Sequence, residues 1–258
     1  MMNELSGKSA LVTGASMGIG KAIAIRFGRE GANVAVNYSK SSGQAKEVVS
    51  EIEKLGANAI ALQADVSKAV EVDKMVSGAV KRFGGLDVLV NNAGIQRQVD
   101  FTSPRVAKLP SSKDDEVTIN LTSQIRLCAL FIPKLMKQEE SAIVNVSSGL
   151  AFVPIAQMPI YCATKAAIHS FTTSLRHQLR NTSVRVFEAA PPTTDTELDA
   201  SFAGEQEQAY RGVSSQEVAA AIIEGIKADK QEILVGQAQG LYQAALRDPE
   251  AIFKQLND

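Results

Sequence analysis

A doubly wound α/β fold built on a parallel sheet is the architecture this sequence predicts, and three observations carry it. Short apolar runs rich in Val, Ile and Leu recur from one end to the other. Stretches of helical period lie between them, and a glycine-rich turn follows the first run. Apolar runs with weak alternation are those of strands buried on both faces. Strands that alternate with helices imply parallel pairing, right-handed crossovers and helices on both faces of the sheet.

The elements follow in order. Strands are expected at Ser9–Thr13, Asn33–Asn37, Asn58–Leu62, Leu86–Val90, Ala142–Val146, Val184–Glu188 and Glu232–Val235. The first leads into Thr13-Gly14-Ala15-Ser16-Met17-Gly18-Ile19-Gly20, which opens a helix whose inner face is marked by Ile19, Ile23 and Phe27. Glycines permit a tight turn and a close backbone approach, and a helix N-terminus offers free N–H groups to a pyrophosphate. Gly14, Ser16, Met17, Gly18 and Ile19 are therefore candidate cofactor contacts. Apolar stripes Ala45, Val48, Val49, Ile52, Leu55 and Val72, Val76, Ala79, Val80, Phe83 mark the next two helices.

The second strand bears on the choice of dinucleotide. An NAD site usually carries a carboxylate there, bonding the ribose 2′-OH. Here the strand ends Asn37-Tyr38-Ser39-Lys40, with no acid to repel a 2′-phosphate. Asn37, Ser39 and Lys40 favour NADP over NAD, with Lys40 as the charge partner.

Bulk properties narrow the classes. The chain has 258 residues, 45% of them hydrophobic, enough to bury a substantial core. No linker or composition shift divides it, so one domain over residues 1–258 is expected. Net charge is −1 with no basic stripe, which argues against nucleic acid. Neither a signal-peptide pattern nor an apolar run of membrane-spanning length occurs, so a cytoplasmic protein is expected. Two cysteines, Cys128 and Cys162, and two histidines, His169 and His177, form no metal-ligand pattern. Arg97–Ser112 and Pro191–Gly212 are irregular and follow strand C-terminal ends, where ligands bind in open α/β sheets. The second is a candidate substrate lid, at about residues 191–212.

The strongest chemical signal is a hydroxyl, a phenol and an ammonium at fixed spacing. Ser148 is followed thirteen residues later by Tyr161, and Lys165 comes four after that. Residues from Tyr161 onward read as helix, which puts Tyr161 and Lys165 one turn apart on one face. A free phenol has a pKa of about 10, so ionising it at pH 7 costs on the order of 4 kcal/mol. A unit positive charge at about 4 Å contributes roughly 4 kcal/mol at an effective dielectric near 20. A phenol beside a cation can thus exchange a proton near neutral pH, which suggests acid/base chemistry on an alcohol or a carbonyl.

Taken together, Thr13-Gly14-x-x-x-Gly18-Ile19-Gly20, Asp65-Val66, Asn91-Asn92-Ala93-Gly94, Asn120, Ser148 and Tyr161-x-x-x-Lys165 resemble the short-chain dehydrogenase/reductase family over nearly the whole chain. The stretch Asn145–Asp195 resembles the branch of oxidoreductases encoded with D-alanine–lipoteichoate genes. The first ninety residues look more like 3-oxoacyl-carrier-protein reductases and glucose dehydrogenases.

The resemblance implies a Rossmann-type three-layer sandwich with seven parallel strands in the order 3-2-1-4-5-6-7. It implies hydride transfer between a nicotinamide and a carbonyl carbon, with Tyr161 as general acid/base and Ser148 polarising the substrate oxygen. Lys165 would lower the Tyr161 pKa and bind ribose, and Asn120 would extend a proton path through its backbone carbonyl. Asp65 and Val66 would hold the adenine, while Asn92, Ala93 and Gly94 would line the cofactor. Pro191, Thr194 and Thr196 would sit near the nicotinamide, where the family's usual Pro-Gly is here Pro191-Pro192. The helices near Asp114–Lys137 and Ile160–Arg180 resemble those of the family's dimer interface, implying a homo-oligomer, a dimer or tetramer.

The uncharged segment Gly149–Ile160 suggests a small, fairly apolar ketone or aldehyde, or the corresponding alcohol, as substrate. Two enzyme alternatives are an NAD-linked sugar or polyol dehydrogenase and a 3-oxoacyl-carrier-protein reductase. A dinucleotide-sensing binding protein is the alternative without turnover.

Overall fold

The computed structural model describes residues 5–103, 115–196 and 212–258. Seven strands form one sheet: β1 (Ser9–Val12), β2 (Asn33–Tyr38), β3 (Ala59–Gln63), β4 (Val88–Asn91), β5 (Ser141–Val146), β6 (Val184–Ala190) and β7 (Glu232–Leu234). All neighbours pair in parallel, in the order β3-β2-β1-β4-β5-β6-β7. Every expected strand is present, with ends displaced by one or two residues. The first stops at Val12, after which both the N–H and the side chain of Thr13 bond to the Val90 carbonyl at the end of β4.

The helices are α1 (Gly18–Arg29), α2 (Ser42–Lys54), α3 (Ala69–Phe83), α4 (Ser123–Leu135), α5 (Pro159–Leu179), α6 (Ser215–Lys227), α7 (Gln237–Arg247) and α8 (Pro249–Asn257). Local chemistry sets several of their ends. Gly84 closes α3 at φ 78°, a left-handed cap that favours glycine. Ser214 and Glu217 form a reciprocal capping box on α6. Pro159 occupies the first turn of α5, where its missing N–H costs nothing.

Alternation along the strands builds two cores. Ala10, Val12, Val34, Val36, Val88, Val90 and Val144 face one way and pack with Ile23, Phe27, Val48, Ile52, Ile222 and Ile226 of α1, α2 and α6. Leu11, Ala35, Leu89, Ile143, Val184 and Val186 face the other way, against Val72, Met75, Leu127, Phe131 and Leu175 of α3, α4 and α5. A strand with both faces covered has no solvent side, which explains why Val, Ile, Leu and Ala dominate both faces. The expected helical stripes are inward, except that Leu55, at the end of its stripe, is exposed.

Three expectations need correction or delimiting. The helix anticipated over Asp114–Lys137 is a π-helical turn, Val117–Thr122, followed by α4; Asp114 itself lies outside the described residues. In that turn Ser123 N–H reaches back five residues to the Thr118 carbonyl, and the widened turn carries the fully buried Asn120. The helix expected at Ile160–Arg180 runs Pro159–Leu179. Most of the candidate lid, residues 197–211, lies outside the described residues; its flanks meet where Thr194 bridges Val213 in parallel. Among the described residues no helix is long and apolar enough to cross a membrane.

Candidate active site

The sheet changes winding direction between β1 and β4, and one hydroxyl ties the two strand ends together. Thr13 Oγ1 donates to the Val90 carbonyl at 3.2 Å and accepts from the N–H groups of Asn92 and Ala93 at 2.9 and 3.0 Å. Its single donor and both lone pairs are used. Asn92 Nδ2 returns to the carbonyls of Thr13 and Gly14. Asn37, buried at the end of β2, accepts from Gly14 N–H at 3.1 Å and donates to the carbonyls of Leu62 and Ala64. Gly14 and Gly18 have φ of +60° and +54°, a backbone region that suits glycine. Gly20 carries a different constraint: a β-carbon there would overlap the Gly14 carbonyl oxygen and lie 2.5 Å from Asn92 Nδ2.

The loop ends at the N-terminus of α1. Met17 supplies no side-chain cap, and the first turn holds no acidic residue. The first N–H groups of a helix lack intrahelical partners, and the aligned dipoles make that end positive. This end borders a cleft of about 510 Å³ at the C-terminal edge of the sheet.

The cleft gathers most of the residues singled out from sequence. Gly14, Ser16, Met17, Gly18, Ile19, Asn37, Ser39, Lys40, Asp65, Val66, Asn92, Ala93, Gly94, Pro191 and Thr196 line it, together with Tyr161 and Lys165. Ser39 and Lys40 are exposed. Asn37 contributes wall rather than a free amide, because its side chain is spent on bracing the glycine loop. Asp65 Oδ1 accepts from Ser67 N–H and Oγ at 3.0 and 2.6 Å, and Lys68 lies 3.6 Å from Oδ2. Burial pushes this carboxyl upward, but the two Ser67 bonds and Lys68 outweigh it and hold it below the ordinary aspartate range.

Tyr161 and Lys165 sit together on the inner face of α5, 7% and 3% exposed, so both work away from bulk water. Lys165 Nζ lies 5.5 Å from the Tyr161 ring centroid and donates to the Val146 carbonyl at 2.8 Å. Burial drives the Lys165 ammonium down to about 8, opposed by the negative charge of Glu188. Beside them Met158 and Cys162, with Leu150 and Ile155, make a small apolar cluster.

Asn120, Ser148 and Thr194 are not on the cleft wall. The Asn120 amide is committed: its oxygen accepts from Ile95 N–H at 2.8 Å, and its nitrogen donates to the Ile95 carbonyl and to Thr164 Oγ1. Ser148 is buried; its Oγ accepts from Leu150 N–H at 3.1 Å, capping a 3₁₀ turn at Gly149–Ala151. Thr194 is buried, and its hydroxyl donates to the Pro192 carbonyl. The Pro191 carbonyl accepts from Gly149 N–H, which joins the two loops.

Sequence reasoning passed over several neighbours. Ile95, Arg97, Ile119, Val146 and Ser147 also line the cleft. The Arg97 N–H, at the start of the irregular Arg97–Ser112 segment, donates to the buried carboxylate of Glu116. His169 and Glu188 are joined at 2.7 Å behind Lys165. A glutamate inside an apolar strand was the available signal for that pair, since such residues are rarely buried unless partnered. Cys162 is a buried packing residue, and burial raises Cys128 to about 12, which leaves both thiols inert near neutral pH. Among the described residues no group of His, Cys, Asp and Glu could hold a metal ion.

Comparison with known proteins follows the same lines. A family model for short chain dehydrogenases matches residues 8–207. The chain is 41% identical over 254 residues to an uncharacterised oxidoreductase, DltE, of Bacillus subtilis, covering 98% of both chains. It is 41% identical over 184 residues to the 3-oxoacyl-acyl-carrier-protein reductase FabG of Staphylococcus aureus, covering 71% of this chain and 73% of that one. A short chain dehydrogenase from Burkholderia cenocepacia, solved in complex with NADP, superposes with a TM-score of 0.78 at 36% identity, covering 87% of this chain and 92% of that one.

Gly20→Ala tests the loop geometry. The added methyl forces the Gly14 carbonyl and the Asn92 amide apart, which is expected to lower stability by about 1–3 kcal/mol and to weaken dinucleotide binding. Denaturant unfolding and a fluorescence titration with NADPH measure the two effects.

Proposed function

The chain belongs to the short-chain dehydrogenase/reductase family, and from that premise we propose that it is an NADPH-linked reductase of small, fairly apolar ketones or aldehydes, working also in reverse. Members of this family are oxidoreductases acting on CH–OH and C=O groups. The observation that carries the finer reading is the buried Tyr161–Lys165 pair lining one cleft with an uncapped helix N-terminus.

The residues present fit a dinucleotide. The open N–H groups of α1 and the glycine loop suit a pyrophosphate. Asp65 and Val66 border the adenine end. The end of β2 carries no carboxylate, and Lys40 is exposed at the cleft, which favours a 2′-phosphate. The NADP bound to the Burkholderia relative supports the same choice. When bound, the nicotinamide supplies or takes up the hydride.

The remaining work falls to side chains. Tyr161 gives its phenolic proton to the carbonyl oxygen in reduction and takes it back in oxidation. Lys165, charged and buried beside the phenol, favours the phenolate. The Val146 carbonyl fixes the amine's direction and leaves two N–H donors for ribose hydroxyls and a proton path. The Leu150 N–H bond orients Ser148, whose own hydrogen then serves the substrate oxygen. Asn120 has no spare amide, so its part in the relay rests on its backbone carbonyl.

The substrate class rests on the segment after Ser148. Met158, Cys162, Leu150 and Ile155 pack beside Tyr161. The 3₁₀ turn lies against α7, close enough that a β-carbon on Gly149 would come within 3.2 Å of Ala238 and Leu241. Asn257, in α8, donates to the Pro154 carbonyl. The family model ends at residue 207, so these C-terminal helices lie outside the matched span. The 41% identity to FabG favours one second reading, a 3-oxoacyl thioester as the apolar ketone.

Three outcomes are expected. Tyr161→Phe lowers kcat by about 10²–10⁴-fold and leaves NADPH affinity intact; full turnover by that variant removes the acid/base assignment. Lys40→Ala weakens NADPH by roughly tenfold, a loss of about 1.4 kcal/mol, with NADH unchanged; equal effects on both cofactors remove the phosphate contact. In NADPH-dependent turnover, hydrophobic ketones, aldehydes and 3-oxoacyl thioesters outperform glucose, and a clear preference for glucose overturns the substrate class.

A further inference from the structure

Beneath α5 four polar side chains stand in register across four strands. Asn91 of β4 pairs with Asn145 of β5, Asn145 with Glu188 of β6, and Glu188 with Glu232 of β7. Residues in register point to the same face of a sheet. The inner stripe of α5 reads this row at helical spacing with Lys165, His169, Thr172 and Arg176. Asn91 donates to Asn145 at 2.8 Å, and Asn145 donates to Thr172 Oγ1 at 2.9 Å. Glu188 Oε2 meets His169 Nδ1 at 2.7 Å. Arg176 Nη1 lies 3.5 Å from Glu232 and its Nε donates to the Val186 carbonyl.

Glu188 is the anomaly in this row. It is 1% exposed, and its second oxygen, Oε1, has no hydrogen-bond partner among the described residues. A buried carboxylate is expensive unless opposite charge stands near it. The buried cation that interacts with it is Lys165, whose amine donates to the carbonyl of Val146, the residue after Glu188's register partner. His169 differs from both. Its side chain is 30% exposed and its ring meets Phe152 edge-on at 5.1 Å, so it can exchange protons with solvent while touching Glu188.

We propose that Glu188 is a positioning residue for Lys165: its carboxylate supplies the negative field that keeps the Lys165 ammonium charged in the interior, and His169 sets how much of that field reaches it. The proposal rests on the reading of Lys165 as the cation that serves Tyr161 and the ribose. The charged groups around the pair are Glu188 from β6, Glu232 from β7 and Arg176 from α5 itself. The hydrogen bond to Glu188 raises the His169 pKa above that of a free imidazole, against the opposing effects of burial and Arg176. Protonated His169 cancels part of the carboxylate's field at low pH, where Lys165 is charged in any case. As pH rises His169 becomes neutral, and the full field reaches Lys165 as it approaches its own titration.

The test is the pH dependence of NADPH affinity, read by fluorescence titration, alongside kcat/KM. Glu188→Gln is expected to move the alkaline limb of both profiles down by about one pH unit, while Glu188→Asp stays near the parent. Two variants at the partly exposed position keep the test open if E188Q does not fold. His169→Lys places a permanent cation on Glu188 and lowers the limb as E188Q does. His169→Gln is neutral, as the imidazole is at that pH, and leaves the limb in place. Coincidence of the H169K and H169Q limbs, or of E188Q with the parent, overturns the proposal. Lys165→Met separates this failure from that of the underlying reading: if K165M binds NADPH and turns over like the parent, the role of Lys165 itself is wrong.

Discussion

The Thr13 hydroxyl is the tie on which the rest of this molecule depends. It saturates its hydrogen-bonding capacity between the ends of β1 and β4, at the one place where the sheet reverses its winding. Helices leave these two strands on opposite faces, so a crevice opens between them. Asn92 and Asn37 hold the loop above the crevice from either side, using side-chain amides where regular ladder partners have run out. The uncapped start of α1 then borders the cleft without further design.

The second half of the site depends on burial. Lys165 is removed from water and bonded to one backbone carbonyl, with its amine 5.5 Å from the Tyr161 ring centroid. The same burial depresses its own proton affinity. An amine in that position needs a compensating anion, and Glu188, one strand further along the sheet, is the carboxylate that interacts with it. The polar row under α5 is thus more than a way of satisfying buried amides. On the proposed reading it links a strand register to the charge of Lys165.

The C-terminal helices add the feature that distinguishes this site from a bare sheet-and-helix crevice. α7 packs on the turn that follows Ser148, and α8 reaches the Pro154 backbone. Both therefore touch the segment that lies between the hydroxyl and the phenol.

Much of this was legible in the sequence because it is local or periodic. Strands such as Val88–Asn91 and Ala142–Val146 are Val, Ile, Leu and Ala apart from Asn91 and Asn145, the composition of strands covered on both faces. The glycine turn and the Tyr161–Lys165 spacing are likewise set by a few consecutive residues. What only the tertiary structure decided depends on partners far apart in the chain. Asn37 became a brace because Gly14, Leu62 and Ala64 converge on it; Asn120 came to lie inside a π-helical turn, its amide spent on Ile95 and Thr164. Glu188 reads as an oddity in a strand until parallel register sets it beside Asn145 and beneath His169. Sequence fixes which groups are available, but hydrogen bonding between distant backbones decides which remain free to act on a ligand.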